Sequence, residues 1–286
     1  MEKTNYVIVP FVNCWDNTKD TVEDLLAQTI PVTVLLVDNG SDLAVWQEAR
    51  RWAGVMGGRV LPWRHNPPLP SLAATWNTAL WFVWNSGGEA AMVCNNDIRV
   101  KPWIFDTLLR YRSHNASLFI SAVGVTPDQY IASTPPQLLS KDKGGPDFSC
   151  YLITKEGHEK YPFDPNFIPA YCEDVDVHRR YMLGGDGGRI FSVNLPYLHK
   201  DGGSGTLKSF SPSRREQFNK AVEQGSRRHY RAKWGGGANE ETYLAPFGDV
   251  RNIAPGQSYP FCEEGCITTP QLQAHGCGGS KHATKA

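Results

Sequence analysis

Acidic side chains stand at several places where carboxylates could do chemistry. They are Asp38, Asp97 and the group formed by Glu173, Asp174 and Asp176. Such groups can hold a hard divalent ion such as Mg²⁺ or Mn²⁺, accept hydrogen bonds from a ribose or a base, or act as general bases. Each also has a simpler interpretation, because an Asp after a strand often forms a turn and acids in a first helical turn complement the helix dipole. Their placement in the fold therefore decides what they do.

The first half of the chain alternates strand and helix patterns. Apolar runs predict strands at 6–10, 32–37, 59–63 and 90–94, and helical periodicity predicts helices at 18–28, 44–53 and 71–85. This alternation predicts an α/β fold with a mostly parallel central sheet and helices on both faces. Ligands bind beyond the carboxyl ends of strands in such sheets. Asp38 and Asp97 each follow a predicted strand, so we expect both at that edge.

The second half is less regular and carries a histidine at the end of a predicted strand. Strands are predicted at 118–125, 148–154 and 189–197, and helices at 172–183 and 211–224. His199 follows the last strand and precedes a Gly/Ser-rich stretch. Its imidazole could complete a metal shell while the glycines approach a diphosphate, or it could be an ordinary loop histidine. We expect one catalytic domain over 1–210, a basic extension over 211–270 that packs on it, and a disordered tail over 271–286.

Composition excludes several classes of protein. The 286 residues carry 29 Lys and Arg against 29 Asp and Glu, a formal net charge of zero, which argues against a protein that coats nucleic acid. No apolar run reaches 18 residues and no secretory signal is recognisable at the N-terminus, so we expect no membrane association. Seven scattered cysteines predict reduced thiols and a cytoplasmic protein.

Six segments, in order, resemble family-two glycosyltransferases of the GT-A fold. They are Val7–Asn13, Leu36–Ser41, Trp76–Leu80, Cys94–Ile98, Glu173–Asp176 with Arg179, and His199. The resemblance implies an inverting enzyme that moves a sugar from a nucleotide donor, expected to be a UDP-sugar, to an acceptor hydroxyl with the help of Mn²⁺ or Mg²⁺. The segment around Lys233 and the later 245–247 look like small phage-encoded glycosyltransferases. Some of those act on hydroxymethylated pyrimidines in phage DNA.

The resemblance also assigns roles to single residues. The expected donor-binding residues are Pro10, Phe11, Asn13, Asp38, Asn66, Asn95 and Asn96. Asn95 replaces the first Asp of the family's Asp-x-Asp motif, which leaves Asp97 as the metal-binding carboxylate and His199 as a second ligand. Asp174 is the expected general base, with Glu173 and Asp176 as alternatives. A non-catalytic nucleotide-sugar-binding module is the competing hypothesis, and the Asn95 replacement supports it.

The segment from 199 to 234 is basic although the whole chain is neutral. Nine Lys and Arg stand against three acids, a net charge of +6. Three interpretations remain open. The segment is a solvated helix face with a flexible tail, or Lys233 neutralises the donor diphosphate, or the cations meet the phosphates of a nucleic-acid acceptor while Tyr230 or Trp234 stacks on a base. A glycan or other small acceptor remains the alternative to DNA. Cys262, Cys266 and Cys277 fit no strong zinc pattern.

Overall fold

The computed structural model describes residues 4–136, 146–200 and 205–248. Within them the chain forms an eight-stranded sheet flanked by helices. The strands are β1 (Tyr6–Phe11), β2 (Thr33–Asp38), β3 (Val60–Arg64), β4 (Ala90–Cys94), β5 (Ile98–Val100), β6 (Phe119–Gly124), β7 (Cys150–Thr154) and β8 (Ile190–His199). The helices are α1 (Trp15–Leu26), α2 (Leu43–Val55), α3 (Leu72–Asn85), α4 (Ile104–Asn115), α5 (Pro127–Ala132), α6 (Lys155–Lys160), α7 (Glu173–Leu183), α8 (Gly205–Ser209), α9 (Pro212–Val222) and α10 (Arg228–Trp234).

The sheet has the order β3-β2-β1-β4-β7-β6-β8-β5. The neighbours β3/β2, β2/β1, β1/β4 and β6/β8 are parallel, as the alternating pattern predicts. The pairs β4/β7, β6/β7 and β5/β8 are antiparallel. The predicted α/β class is therefore confirmed, and the second half makes the sheet mixed. Strand β5 and helices α4, α5, α6, α8 and α10 have no counterpart among the predicted elements.

Helices cover both faces of this sheet. One apolar cluster joins the sheet to α1, α2 and α4 through Val22, Ala49 and Leu108. A second cluster on the opposite face takes in Trp76 of α3 and Tyr181 of α7. Burial of apolar side chains on two sides stabilises a sheet whose strands are themselves continuous apolar runs.

Local signals set the helix starts. Ser71 caps α3 by accepting a hydrogen bond from the amide of Ala74 at 3.1 Å. Ser211 caps α9 in the same way, with Pro212 in its first position. Helix α1 begins at Trp15, earlier than the pattern indicates, after Asn13 and Cys14 in left-handed conformations.

Two negative findings apply to the described ranges. No helix in them has the length and apolar character needed to cross a bilayer. Their four cysteines, Cys14, Cys94, Cys150 and Cys172, are free thiols. Cys262, Cys266 and Cys277 and the predicted tail over 271–286 lie outside the described residues.

Candidate functional site

A cavity of about 830 Å³ opens at the carboxyl ends of β1 and β4. Eight predicted site residues line it: Pro10, Phe11, Asn95, Asn96, Asp97, Glu173, Asp174 and His199. They come from the ends of β1, β4 and β8 and from the start of α7. The fold thus brings together donor-binding, metal-binding and acceptor-side residues that are up to 189 positions apart in the chain. This is the position that the carboxyl-end rule predicts for a ligand site.

Asp97 and His199 form one end of the cavity. Strand β5 pairs with β8 so that Ile98 lies opposite His199, which sets the imidazole beside the carboxylate. Asp97 Oδ2 accepts the Gly205 amide at 2.5 Å. Its Oδ1 lies 3.7 Å from His199 Nδ1, and both atoms are buried without a hydrogen-bond partner among the described residues. Buried polar atoms are nearly always paired in folded proteins, so this pair of open ligand atoms fits a divalent cation.

A polar network lies behind His199. His199 Nε2 contacts Ser149 Oγ at 3.1 Å. The Ser149 amide donates to Asp147 Oδ1 at 2.8 Å, and Asp147 Oδ2 accepts the Tyr197 hydroxyl at 2.5 Å. With the proton on Nε2, the hydrogen bond to Ser149 leaves the Nδ1 lone pair directed towards Asp97. The network therefore fixes the orientation of the imidazole ring beside Asp97.

Asp97 and His199 do not complete a metal shell by themselves. Across the described ranges, no group of three or more His, Cys, Asp or Glu side chains is arranged to hold a metal ion. Asn95, which lines the cavity, has no carboxylate to add. A cation bound here would take its remaining ligands from water and from a phosphate-bearing substrate, as Mg²⁺ commonly does.

The other end of the cavity is formed by the first turn of α7. Tyr171 and Cys172, with φ of 73° and 70°, turn the chain into this helix through left-handed conformations that side chains rarely adopt. Burial, with help from the Asp174 charge, raises the pKa of Glu173 to about 8. Burial also raises the pKa of Asp174, whose Oδ1 accepts the Val175 amide at 2.8 Å. At neutral pH Glu173 is therefore protonated.

The predicted nucleotide residues of β1 and β2 divide into two groups. Pro10 and Phe11 line the cavity, whereas Asn13, Asp38 and Asn66 do not. Asp38 is fully buried, accepts the Ser41 amide at 2.8 Å and lies 3.3 Å from Arg64 Nε.

Asn13 ties the loop after β1 to the loop after β2. The backbone amide of Asn13 donates to Ser41 Oγ at 2.7 Å, and its side-chain Oδ1 accepts the backbone amide of Asp42 at 2.9 Å. Asn66 is exposed at the end of β3. In this structure Asp38 and Asn13 order the loops that surround the cavity.

Lys233 and Asp176 lie in the interior and not on the cavity wall. Lys233 is fully buried, and its Nζ lies 2.7 Å from both Asp164 Oδ2 and Asp176 Oδ1. Arg180 and Trp234 also contact Asp176, each at 2.9 Å. The ammonium therefore neutralises two buried carboxylates, which is the physical reason that it does not reach a donor diphosphate. Asp176 is fully buried off the cavity wall and both of its oxygens are paired, so it is not in a position to take a proton from a substrate.

The aromatic residues expected to stack on a base are buried too. Tyr230 is 2% exposed and Trp234 is fully buried, and both pack against Phe167. They anchor α10 to the rest of the domain. Other aromatic rings line the cavity instead, namely Tyr171, Phe210 and Phe218.

Several cavity residues were not recognised in the sequence. Ser149 and Asp147 lie just before β7. They reach the cavity because β7 pairs antiparallel with β4, and no sequence pattern predicts that pairing. Trp76 lines the cavity and its indole Nε1 is buried without a partner. Trp76 belongs to one of the six segments that resemble family-two glycosyltransferases, but the resemblance assigns it no role.

Several solved structures have a similar fold and contain nucleotides or nucleotide sugars. A mannosyltransferase of Pyrobaculum calidifontis, PcManGT, in complex with GDP-Man and Mn²⁺, superposes with a TM-score of 0.55 at 17% identity, over 76% of this chain and 62% of that one. Residues 1–349 of Staphylococcus aureus TarS in complex with UDP-GlcNAc give 0.52 at 15%, over 77% and 65%. GalNAc-T7 with UDP, GalNAc and Mn²⁺ gives 0.52 at 12%, over 80% and 50%.

These neighbours establish the fold, and the sequence establishes the family. The chain spans between half and two thirds of the length of these three neighbours. No curated protein sequence matches it. Residues 6–169, more than half of the chain, match the family described as glycosyl transferase family 2. The GT-A architecture and the cavity at the strand ends agree with that match, and the chain belongs to glycosyl transferase family 2.

Proposed function

We propose that the protein is a metal-dependent inverting glycosyltransferase that moves a sugar from a UDP-sugar to an acceptor hydroxyl. The observation that carries this proposal is the pair of buried atoms Asp97 Oδ1 and His199 Nδ1, 3.7 Å apart in the cavity that Asp174 also lines, which have no hydrogen-bond partner in the described part of the chain. Structural neighbours were solved with UDP, UDP-GlcNAc or GDP-Man, and two of them with Mn²⁺. These complexes support a nucleotide sugar and a divalent cation.

Asp97 and His199 would hold Mn²⁺ or Mg²⁺. A bound divalent cation supplies positive charge where the leaving diphosphate accumulates negative charge. Asn95 lowers the negative charge of the site by one relative to the family's Asp-x-Asp pattern, and its amide can donate a hydrogen bond to a ribose or sugar hydroxyl. Asn96 is held by a hydrogen bond to Thr18 Oγ1 at 2.9 Å, which fixes the turn that carries Asp97.

The nucleotide would lie along the ends of β1 and β2. Pro10 and Phe11 offer apolar surface to the base, and the loops tied together by Asn13 and Asp38 border it. Asp38 Oδ2 lies 3.3 Å from Arg64 Nε and accepts no hydrogen bond from the described residues, so a rearrangement of these loops around the donor would let it accept a hydrogen from uracil or ribose. Asn66, which is exposed after β3, would contact the nucleotide from outside the cavity wall.

Asp174 is the proposed general base. Its raised pKa makes it a better proton acceptor than an exposed Asp. It takes the proton of the acceptor hydroxyl while the acceptor oxygen bonds to the anomeric carbon. The bond from that carbon to the diphosphate breaks, and its electron pair leaves with UDP. One displacement inverts the configuration. Glu173, which is protonated at neutral pH, serves better as a hydrogen-bond donor than as the base.

A hydroxymethylated pyrimidine in DNA is the acceptor proposed from the sequence. Its exocyclic hydroxyl would have to reach Asp174, which requires the base to leave the stack. Tyr230 and Trp234 are buried and cannot hold such a base. The cations of the C-terminal helices still support this acceptor, and a glycan or small molecule is the alternative.

Turnover of nucleotide sugars tests the proposal directly. A panel of UDP- and GDP-sugars is incubated with the protein and Mn²⁺, and released nucleoside diphosphate is measured with and without hydroxymethylated DNA. We expect UDP release that chelation abolishes and that Asp97→Ala abolishes too. Proton NMR of the product should show an anomeric configuration opposite to that of the donor. Absence of turnover together with intact UDP-sugar binding would favour the non-catalytic module.

A further inference from the structure

Three aromatic side chains form a wall at the cavity mouth, which we call the aromatic wall: Tyr171, Phe210 and Phe218. All three line the cavity. The Tyr171 and Phe218 rings lie 6.2 Å apart edge to face, and the Phe210 and Phe218 rings lie 5.8 Å apart. Tyr171 is 45% exposed, and the two Phe side chains are half-buried. Aromatic surface left open beside a catalytic cavity is available to a ligand ring.

Helix α9 carries Phe218 of the wall and is almost entirely exposed. Nine of its eleven residues are exposed, and Val222 is the buried one. Such a helix contributes little to a core, so packing does not explain why it presents Phe218 to the cavity. The π-helical turn Glu223–Arg227 links α9 to α10, which is anchored in the interior by Lys233 and Trp234. The helix that carries Phe218 is thus continuous with one that is anchored in the interior.

Cations surround the wall. The Arg214 guanidinium lies 4.3 Å from the centre of the Phe210 ring. Arg214, Arg215 and Lys220 are exposed, and in the described part of the chain no acidic side chain forms an ion pair with them. The six helical steps from 214 to 220 span about 9 Å of helix axis. The charges are therefore spread out enough to meet separate phosphates.

We propose that the aromatic wall and the cations of α9 bind a single nucleic-acid strand, with a base stacked on Phe218 and phosphates on Arg214, Arg215 and Lys220. Stacking on aromatic rings beside a basic groove is how proteins hold single strands. A neutral glycan could stack on the rings but would leave the cations without a partner. The inference rests on the proposed function in treating the strand as the acceptor that is presented to Asp174.

The wall lies outside the segment that matches the family. That segment ends at residue 169, whereas Tyr171, Phe210 and Phe218 follow it. Pro10, Phe11 and Asn95–Asp97 therefore lie inside the matched segment, whereas the aromatic wall, like His199 and the first turn of α7, lies beyond it. Acceptor choice can then differ from that of relatives that share the matched segment.

Strand binding is measured without donor, by fluorescence anisotropy of a short labelled single-stranded DNA containing 5-hydroxymethylcytosine. We expect affinity to fall with salt, Phe218→Ala to weaken binding about tenfold, and Phe218→Trp to retain it. Lys220→Ala should reduce the slope of log affinity against log salt by about 0.7. Trp81→Ala and Lys19→Ala are matched controls away from the cavity and should leave binding unchanged. Thermal melting confirms that each variant is folded.

Several results would overturn the inference. Binding that is absent, that is independent of salt, or that is equal for wild type and Phe218→Ala would each do so. Heparin serves as a polyanion without bases, and equal sensitivity of heparin binding to Phe218→Ala would remove the stacking role. Tighter binding of a neutral oligosaccharide would replace the strand by a glycan. UDP release measured in parallel separates the two proposals: its absence refutes the proposed function, and strand binding then stands alone.

Discussion

Two groups of acidic side chains lie near helix α7, and they differ in whether basic side chains pair with them. The open acids, Asp97, Glu173 and Asp174, line the cavity. The closed cluster, formed by Asp164 and Asp176 with Arg180, His229, Lys233 and Trp234, lies in the interior behind the helix. Asp174 and Asp176 are two residues apart on one helix, so the same turn supplies both groups.

The difference lies in whether the carboxylate oxygens have partners. Burial alone would raise the pKa of Asp164, but the charges of Lys233 and His229 hold it well below its usual range. Glu173 has no such cation, and burial raises its pKa to about 8. Fully paired buried acids are a structural feature. Buried acids with unpaired oxygens and raised pKa values in a cavity are candidates for chemistry.

Replacing Asp174 and Asp176 one at a time is the strongest test of the difference between the open acids and the closed cluster. Asp174→Asn keeps the oxygen that accepts the Val175 amide, so we expect normal stability and a loss of about 10²–10⁴-fold in kcat. Asp176→Asn should instead lower the free energy of unfolding, because Lys233 and Arg180 lose a charge partner. Steady-state kinetics and urea unfolding of both variants provide the check. Equal losses of kcat at the two positions would erase the distinction.

Removing the central cation tests the closed cluster itself. Lys233→Met leaves Asp164 and Asp176 without the ammonium between them, and we expect a loss of about 3–5 kcal/mol in the free energy of unfolding. Lys155→Met is the matched control, since Lys155 forms an exposed helical pair with Glu159 worth less than about 1 kcal/mol. Urea unfolding of both variants measures the difference. Similar losses in the two variants would show that the cluster contributes no more than a surface pair.

The parallel half of the fold was predictable because its elements have local signatures. Strands β1 to β4 are apolar runs, and α3 begins at Leu72, directly after the serine at which the pattern predicts a helix start. The antiparallel half was less accessible. Strand β5 has three residues, too few for a period, and the pairing of β7 between β4 and β6 depends on contacts distant in sequence.

The site was predictable where a residue ends a strand or opens a helix, as Asp97, His199 and Asp174 do. Lys233 shows the limit. A lysine in a basic segment suggests contact with phosphates, and its burial depends on the fold placing Asp164 and Asp176 opposite it. Ser149 had no local signal either, because its role is defined by His199, fifty residues away.

Ser149 offers a smaller change at the open end of the cavity. Ser149→Ala removes the hydroxyl that contacts His199 Nε2 but retains the backbone amide that donates to Asp147. The imidazole would lose its fixed orientation, and we expect Mn²⁺ affinity to fall about 10–100-fold. Electron paramagnetic resonance of free Mn²⁺ during titration measures this independently of turnover. Ser149→Thr keeps the hydroxyl and should retain the Mn²⁺ affinity. Ser113→Ala, at an exposed position of α4, should not change the affinity. Unaltered Mn²⁺ affinity in Ser149→Ala would show that Ser149 does not support the metal site.

Glu173 is the buried member of the open acids for which no described basic side chain offsets burial. Its titration therefore provides a further test of the difference between the open acids and the closed cluster. Its pKa is 4.5 in the unfolded chain and about 8 in the folded protein. Between these values the folded state keeps a proton that the unfolded state has lost, so the free energy of unfolding falls as pH rises, by at most about 1.4 kcal/mol per pH unit.

Glu173→Gln removes this titration. We therefore expect the variant to gain stability relative to wild type as pH rises from about 4.5 towards 8, and the difference to level off above 8. Urea unfolding of both proteins across this range measures it. Asp186→Asn is a contrasting control, because Asp186 is bonded to Lys160 and Tyr161 and its pKa is lowered. Parallel curves for wild type and Glu173→Gln would mean that Glu173 finds a compensating partner, which would move it from the open acids to the closed cluster.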